Sequence, residues 1–452
     1  MRRTPLAART LAGAALTATA LTPTGAGAQQ RVAFPPAPLP VLAEQPALSF
    51  SVSQSLEADT NYDLVNDPPG TTYYGETRFS ADYLRGIGTN QIGFGIDTGL
   101  RGVDEPDTEF DWIAASPSTA YFDYATEGVD TEFDVLLRAR SRVVDSTSTL
   151  FADDPLDPGS PDPIGQVRQD AREYRYDANI GFTGGTTSPS TWGLRVLANA
   201  YDYDETGENL TPRTTVNPQA NWALQLTPTL SGALFGGYYY YNADDDEETE
   251  IQVAEADAGV IYEPSEVLSF GFGLGYADRT RDETNSNGVR DTVEDERGPV
   301  VRANLRYTLP EFTVIGNIRW TTASAEDNHF SGSLGGFYAL PRGMLTGRIY
   351  QTAVGNASGD EVRVTGATIG LTHEINSVSQ LGLDLGWATQ VELENDDPDI
   401  SRTDLVLSYA YDITATINAQ VGYNYQTRDE DPVDADSHRV FLILGKTFET
   451  GL

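Results

Sequence analysis

The sequence predicts an all-β fold: a single transmembrane antiparallel β-barrel of about 20 strands, within a range of roughly 16–20, with short periplasmic turns and long acidic extracellular loops. Three observations predict it. Apolar and small or polar residues alternate with a period of two down most of the chain, and two kinds of connection alternate between the runs. No segment shows helical periodicity or about 18 consecutive apolar residues. Side chains alternate faces in a strand, so a strand with one apolar and one polar face needs an apolar medium on one side and water on the other. A bilayer around a closed barrel supplies both and leaves no backbone group without a partner.

Taken in chain order, residues 1–28 read as a cleaved secretory signal, with Arg2 and Arg3, a weakly apolar middle from Leu11 to Leu21, and Ala26-Gly27-Ala28 before Gln29. Residues 29–46 hold Pro35, Pro36, Pro38, Pro40 and Pro46 and form an extended periplasmic lead. The barrel is assigned to 47–449. Its clearest strand is SQLGLDLGWATQVEL at 379–393, which sets Leu381, Leu383, Leu385, Trp387 and Val391 against Gly382, Asp384, Gly386, Ala388, Gln390 and Glu392. Leu268, Phe270, Phe272, Leu274 and Tyr276 likewise oppose Ser269, Gly271, Gly273 and Gly275, and Val301, Ala303, Leu305 and Tyr307 oppose Arg302, Asn304 and Arg306. The segments 329–340, 343–355 and 361–376 alternate poorly, and the last strand is placed from Arg439 to Phe448.

Tight connections include Thr227-Pro228-Thr229, Glu263-Pro264-Ser265-Glu266, Leu340-Pro341-Arg342-Gly343 and Asn376-Ser377-Val378. Long acidic ones include FADDPLDPGSPDPIGQ from Phe151, ADDDEETE from Ala243, RDETNSNGVRDTVEDERG from Arg281, ENDDPD from Glu394 and RDEDPVDAD from Arg428. Short turns face the periplasm in bacterial outer-membrane barrels, so the alternation orients the chain. Two aromatic belts are expected, with Trp192, Trp222, Tyr262, Tyr307, Phe312 and Tyr411 beside short turns, and Tyr238 to Tyr241, Tyr276, Trp320 and Tyr423 toward the long loops.

The formal net charge of −38 becomes −41 when Arg2, Arg3 and Arg9 leave with the signal (−38 − 3), which repels phosphates and excludes nucleic acid as a partner. Cysteine is absent, so no disulfide or thiol site exists. Lys446 is the only lysine; the arginines fall inside strands and the acids gather between them. Acidic loops concentrate cations at the mouth, an effect that salt screens.

An arginine on the lipid face would cost roughly 2–4 kcal/mol at the bilayer midplane, so charged strand residues belong in the lumen. The pore-lining set is Glu132, Asp134, Arg138, Arg140, Arg142, Glu173, Arg175, Asp177, Arg195, Arg302, Arg306, Arg319, Asp384 and Glu392. Two readings fit it: a basic ladder setting a transverse field, or ion pairs filling a wet lumen. ETNSNGVRDTVE has the spacing of a calcium loop, with Glu283, Asn285, Asn287, Gly288, Asp291 and Glu294 in the ligand and turn positions; calcium is the one cofactor the sequence offers. Its glutamate at the first position, Arg290 at the eighth and its flanking strands depart from that pattern. His329, His373 and His438 lie too far apart along the barrel for a shared metal. Ser331 and Ser333 near His329 form no G-x-S-x-G elbow, and no helix follows the glycines from Phe270, so the chain is not read as an enzyme.

The stretch EADTNYDLVNDPPGTTYYGETRFSADYL from Glu57, followed by GFGIDTGLRG from Gly93, resembles the opening of the β-barrel porin type 2 family of outer-membrane proteins. The resemblance implies one barrel filling the mature chain, a passive or export-linked pore, and no catalytic residues. The expected function is an outer-membrane porin for small hydrophilic solutes with cation preference, inserted in outer-membrane lipid by the barrel-assembly machinery. A polysaccharide-export barrel and a structural or adhesive barrel with calcium-binding loops are the alternatives.

Overall fold

The computed structural model describes residues 47–451 except 63, 105, 107–110, 114–117, 144–171, 205–209, 246–247, 285–288, 324–328, 356–360, 393–399 and 431–432. The signal and the proline-rich lead lie outside the described residues.

Every described regular element is a strand. The first are β1 (Ala47–Asp59), β2 (Thr72–Ile87), β3 (Asn90–Asp104), the short β4 (Asp111–Ile113), β5 (Ser118–Glu127), β6 (Thr131–Val143) and β7 (Arg172–Gly184). They are followed by β8 (Ser190–Tyr203), β9 (Arg213–Thr227), β10 (Leu230–Ala243), β11 (Glu250–Ser265), β12 (Leu268–Thr284), β13 (Arg290–Thr308) and β14 (Phe312–Thr321). The chain ends with β15 (His329–Leu340), β16 (Gly343–Gly355), β17 (Glu361–Asn376), β18 (Ser379–Glu392), β19 (Ile400–Asp412), β20 (Ile417–Glu430) and β21 (Val433–Gly451). All pairings are antiparallel, and β21 returns to β1 from Asp59↔Arg439 to Ala47↔Gly451, closing the sheet. β4 only lies along Arg101–Val103 of β3, so 21 strands less this one leave twenty staves in the barrel.

The register sorts the side chains of the anticipated strand from Leu381 to Gln390. Leu371, Leu383, Leu407, Tyr423 and Val440 fall on one row across β17 to β21 and face outward. Leu381, Leu385 and Trp387 are exposed, while Gly386, Ala388 and Gln390 on the opposite face are buried. On β12 the outward side reads Leu268, Phe270, Phe272, Leu274, Tyr276, then Asp278, Thr280 and Asp282. This switch from apolar to charged marks the outer edge of the hydrocarbon band. Trp192, Trp222, Tyr262, Tyr307, Phe312 and Tyr411 all point outward near short turns. In the tyrosine run, however, only Tyr238 and Tyr240 belong to the outer belt; Tyr239 and Tyr241 pair with Val253 and Ile251 on the inward face.

One further expectation is corrected. The acidic stretches at 281–298 and 428–436 are mainly strand, not loop: β12 and β13 run to Thr284 and from Arg290, and β20 and β21 run to Glu430 and from Val433. Their acids alternate with Thr, Val and Arg, and cross-strand arginines such as Arg279, which binds Glu294, stabilise the ladder beyond the membrane. The segments 329–340, 343–355 and 361–376 are the full strands β15, β16 and β17. Their pattern is weak because the outer end of the wall inverts locally, with Val362, Val364 and Tyr350 inward and Arg363 outward.

Pro218 sits inside β9, facing Val196 of β8. It has no N–H to give β10, and the β9–β10 ladder skips from Gly237↔Gln219 to Tyr240↔Val216 with its register intact. Two short turns are tied to each other at the opposite end. Asp130 accepts from the Thr187 amide at 2.9 Å and hydroxyl at 2.8 Å, and its carbonyl accepts from Gly185 N at 2.9 Å. Gly185 has φ +76°, and a Cβ there would strike the Ser190 carbonyl, so no other residue fits this turn.

Two outcomes are expected. Leu385→Arg, on the lipid face, destabilises the folded barrel in vesicles by about 2–4 kcal/mol in a urea titration, whereas Asp278→Arg above the band changes it little. The Thr187 bonds hold the Asp130 carboxyl below its usual range, so its stabilisation is full above the unfolded-state value and is lost as pH falls through the lowered folded one. Hydrogen exchange at Thr187 then accelerates only in strong acid, and Asp130→Asn removes that dependence.

Candidate functional site: the lumen wall

Charged side chains on the inner wall are positioned by strand register, and glycines decide which of them meet. Glu132, Asp134, Arg138, Arg140 and Arg142 of β6 lie opposite Thr183, Gly181, Asp177, Arg175 and Glu173 of β7, all inward. Arg142 Nε reaches Glu173 at 2.9 Å, while Arg138 Nε and Arg175 Nε reach Asp177 at 3.2 and 2.8 Å. Arg195 of β8 shares a row with Gly181 and Asp134, and its Nη2 meets Asp134 Oδ1 at 3.2 Å across the intervening strand. A Cβ on Gly181 would occupy the place of both partners. The missing side chain is what lets an ion pair bridge two staves.

The same device recurs on β11 to β14. Arg302 of β13 passes over the glycine row of β12 to bind Glu255 and, at 3.0 Å from Nε, Asp257 of β11; Arg319 of β14 joins Glu255 at 3.2 Å. Arg302 also lies over the Phe235 ring at 4.9 Å. With Arg302 and Glu255 each under a tenth exposed, this group is a buried, mutually neutralised cluster. Arg306 lies inward on β13 two rungs from Arg302 toward the short turns, and Asp384 faces inward on β18 opposite Val406. Glu392 ends β18 opposite Val362.

The wall divides by height. Toward the short turns, inward Ser51, Ser53, Asp82, Asp134, Arg195, Arg306 and Asp384 are only half-buried, so water reaches them. Toward the long connections, Glu173, Arg213, Arg279, Gln390, Arg402, Asp404 and Asn424 are buried. Among the described residues, the inward side chains are therefore more accessible toward the short turns and more closely packed toward the long connections.

Part of that packing comes from Asn61, Tyr62 and Leu64, which are buried in the connection between β1 and β2. Tyr62 packs edge-on against inward Tyr74 at 5.7 Å and clusters with Val103. Asn61 N donates to Asp59 Oδ1 at 3.0 Å, and the Asn61 side chain clasps Val65 N and O. Thr60 N donates to His438 O, Asn61 Nδ2 to Asp436 O, and Asp434 N to Asn66 Oδ1, so the segment is pinned to β21. The sequence signalled a turn here through Asp59-Thr60-Asn61, but not its direction.

Glu283 and Asp291 stand opposite each other in the β12–β13 hairpin, Glu294 pairs with Arg279 and Glu283 with Arg281; Asn285 and Asn287 lie outside the described residues. Among the described residues no group of three His, Asp or Glu is placed to hold a metal.

A closed sheet with an apolar outer band and charges confined to its inner wall has only one stable setting. The chain is a transmembrane β-barrel of the outer-membrane type. No family model and no curated protein matches it. Solved structures that match include the siderophore receptor PiuA from Acinetobacter baumannii, 10% identical over 88% of this chain and 82% of that one, with TM-score 0.47. The open form of the ferric-catecholate import receptor Fiu from E. coli K12 is 10% identical over 88% and 81%, with TM-score 0.46. Pseudomonas aeruginosa OpdQ is 10% identical over 89% and 99%, with TM-score 0.34.

Filling the bridge point tests the wall's construction. Gly181→Val is expected to separate Arg195 from Asp134 and to destabilise the barrel by roughly 1–3 kcal/mol through overpacking, read as a lower urea midpoint; Gly181→Ala has a smaller effect in the same direction.

Proposed function

We propose that this chain is a channel of the Gram-negative outer membrane that passes small hydrophilic solutes by diffusion and favours cations. The observation that carries the reading is the inner wall: serines, carboxamides and internally compensated ion pairs, wet toward the short turns. Such a wall offers solvation without a deep trap, which diffusion requires. Cation preference is supported by the strand ends around the mouth, where Asp278, Asp282, Asp295, Asp429, Asp434 and Asp436 outnumber Arg290 and Arg297. The resemblance to the β-barrel porin type 2 family agrees with this reading. Insertion by the barrel-assembly machinery follows from it.

A second reading, passage of a polysaccharide, is favoured by the uncharged inward rows of β9 and β10 between Thr215 and Ala243. Planar-bilayer recording of the refolded barrel decides between a conducting and a closed barrel. A steady ohmic current is expected, with a reversal potential shifted toward cations in a low-salt gradient and a smaller shift at about 1 M salt, where screening acts within roughly 3 Å. Silence at all voltages overturns the channel, and anion selectivity at low salt overturns the preference.

A further inference from the structure

We infer that the arc of lumen wall formed by β7 to β10 is a binding surface for neutral, hydroxyl-rich solutes, a short oligosaccharide or polyol. The inference rests on the channel reading for access and adds a ligand class to it. Asn179 of β7, Asn199 of β8, and Asn217, Gln219 and Asn221 of β9 all face inward on neighbouring rungs. Strand spacing puts Asn217, Gln219 and Asn221 about 7 Å apart along β9, with Asn199 on the next strand diagonal to Asn217 and Leu197 between Asn217 and Asn179.

Each carboxamide presents both donors and an acceptor, as a sugar hydroxyl does, so one grid can satisfy a hydroxyl of either sense. Asn199, Gln219 and Asn221 are half-buried and accessible on the inner wall, while Asn179 Oδ1 is buried beneath them. Gln219 Nε2 donates to Asn217 Oδ1 at 3.2 Å, and Asn179 Oδ1 has no partner among the described residues. Inward Tyr239, opposite Asn217, supplies a flat apolar face of the kind that packs against the C–H face of a sugar ring.

Charge argues for a neutral ligand. Below Arg213 the inward rows of β9 and β10 hold no charged side chain. The flanking charges are answered internally: Arg195 by Asp134, Asp177 by Arg138 and Arg175, and Glu255 by Arg302 and Arg319. An ionic solute would shed water here without meeting a free counter-charge.

Maltohexaose serves as the probe, with a polyethylene glycol of equal size as the volume-exclusion control. In bilayers, the full mature barrel is expected to show sugar-dependent current block beyond that of the glycol. Gln219→Leu and Asn221→Leu each weaken the block by ~3–10-fold, and the double variant by more, as expected for losing one or two hydrogen bonds apiece. Gln420→Leu, inward on β20 across the barrel, leaves it unchanged. Block no greater than the glycol's, or block equally weakened by Gln420→Leu, overturns the inference while the channel stands. Calorimetry of maltohexaose with the detergent-solubilised barrel covers the case of no current: binding lost in the double variant sustains the arc although the channel reading falls, and no binding removes the arc whatever the current.

Discussion

Within hydrocarbon no water is available to a peptide group, and each unpaired N–H or C=O costs several kcal/mol, so the sheet must end where it begins. The β1–β21 ladder meets this requirement, and most other features follow from it. Closure forces strict alternation, alternation separates a lipid face from a lumen face, and the separation makes the inner wall the only place where charges can sit inside the band. Even Pro218, which cannot donate to its neighbour, is accommodated without a slip of register, because a slip would turn every following side chain to the wrong medium.

The inner wall solves a second problem, that of holding arginines and carboxylates at low hydration. Adjacent staves bring like charges close as readily as unlike ones: Arg140 stands opposite Arg175. Glycines between the staves relieve this by letting a guanidinium reach the second strand over, as Arg195 and Arg302 do. The planar fork of arginine suits such spans better than the point charge of lysine, consistent with the single lysine lying outside at Lys446.

The barrel was legible because lipid enforces a period of two, as in 379–393, and because short turns leave few residues to misassign. Strands failed to announce themselves where the enforcing medium was absent. In the described parts of 281–298 and 428–436 the outer face is wet rather than lipid-covered, so acidic residues that look like loop are held in strands by arginines, Arg279 on the strand beside Glu294 and Arg428 on the same strand as Glu430. Which charged strand residues share a face could be read, since alternation is local. Their partners could not, because Arg195 meeting Asp134 depends on pairing β7 with both β6 and β8, and on Gly181 between them. The burial of Tyr62 was hidden for the same reason: Tyr74, Val103 and the edge of β21, distant in sequence, decide on which side it packs.

The outer boundary at Asp278 leaves the ends of β11, β12 and β13 standing as a sheet above the bilayer. From Tyr276 to Thr284 the strands climb roughly 20 Å once tilt is allowed for. Beyond the apolar band the described residues therefore present ordered backbone with a fixed spacing of aspartate and threonine. Such a surface is rigid enough to be recognised by shape, and changing it without losing the ladder requires paired substitutions on two strands at once.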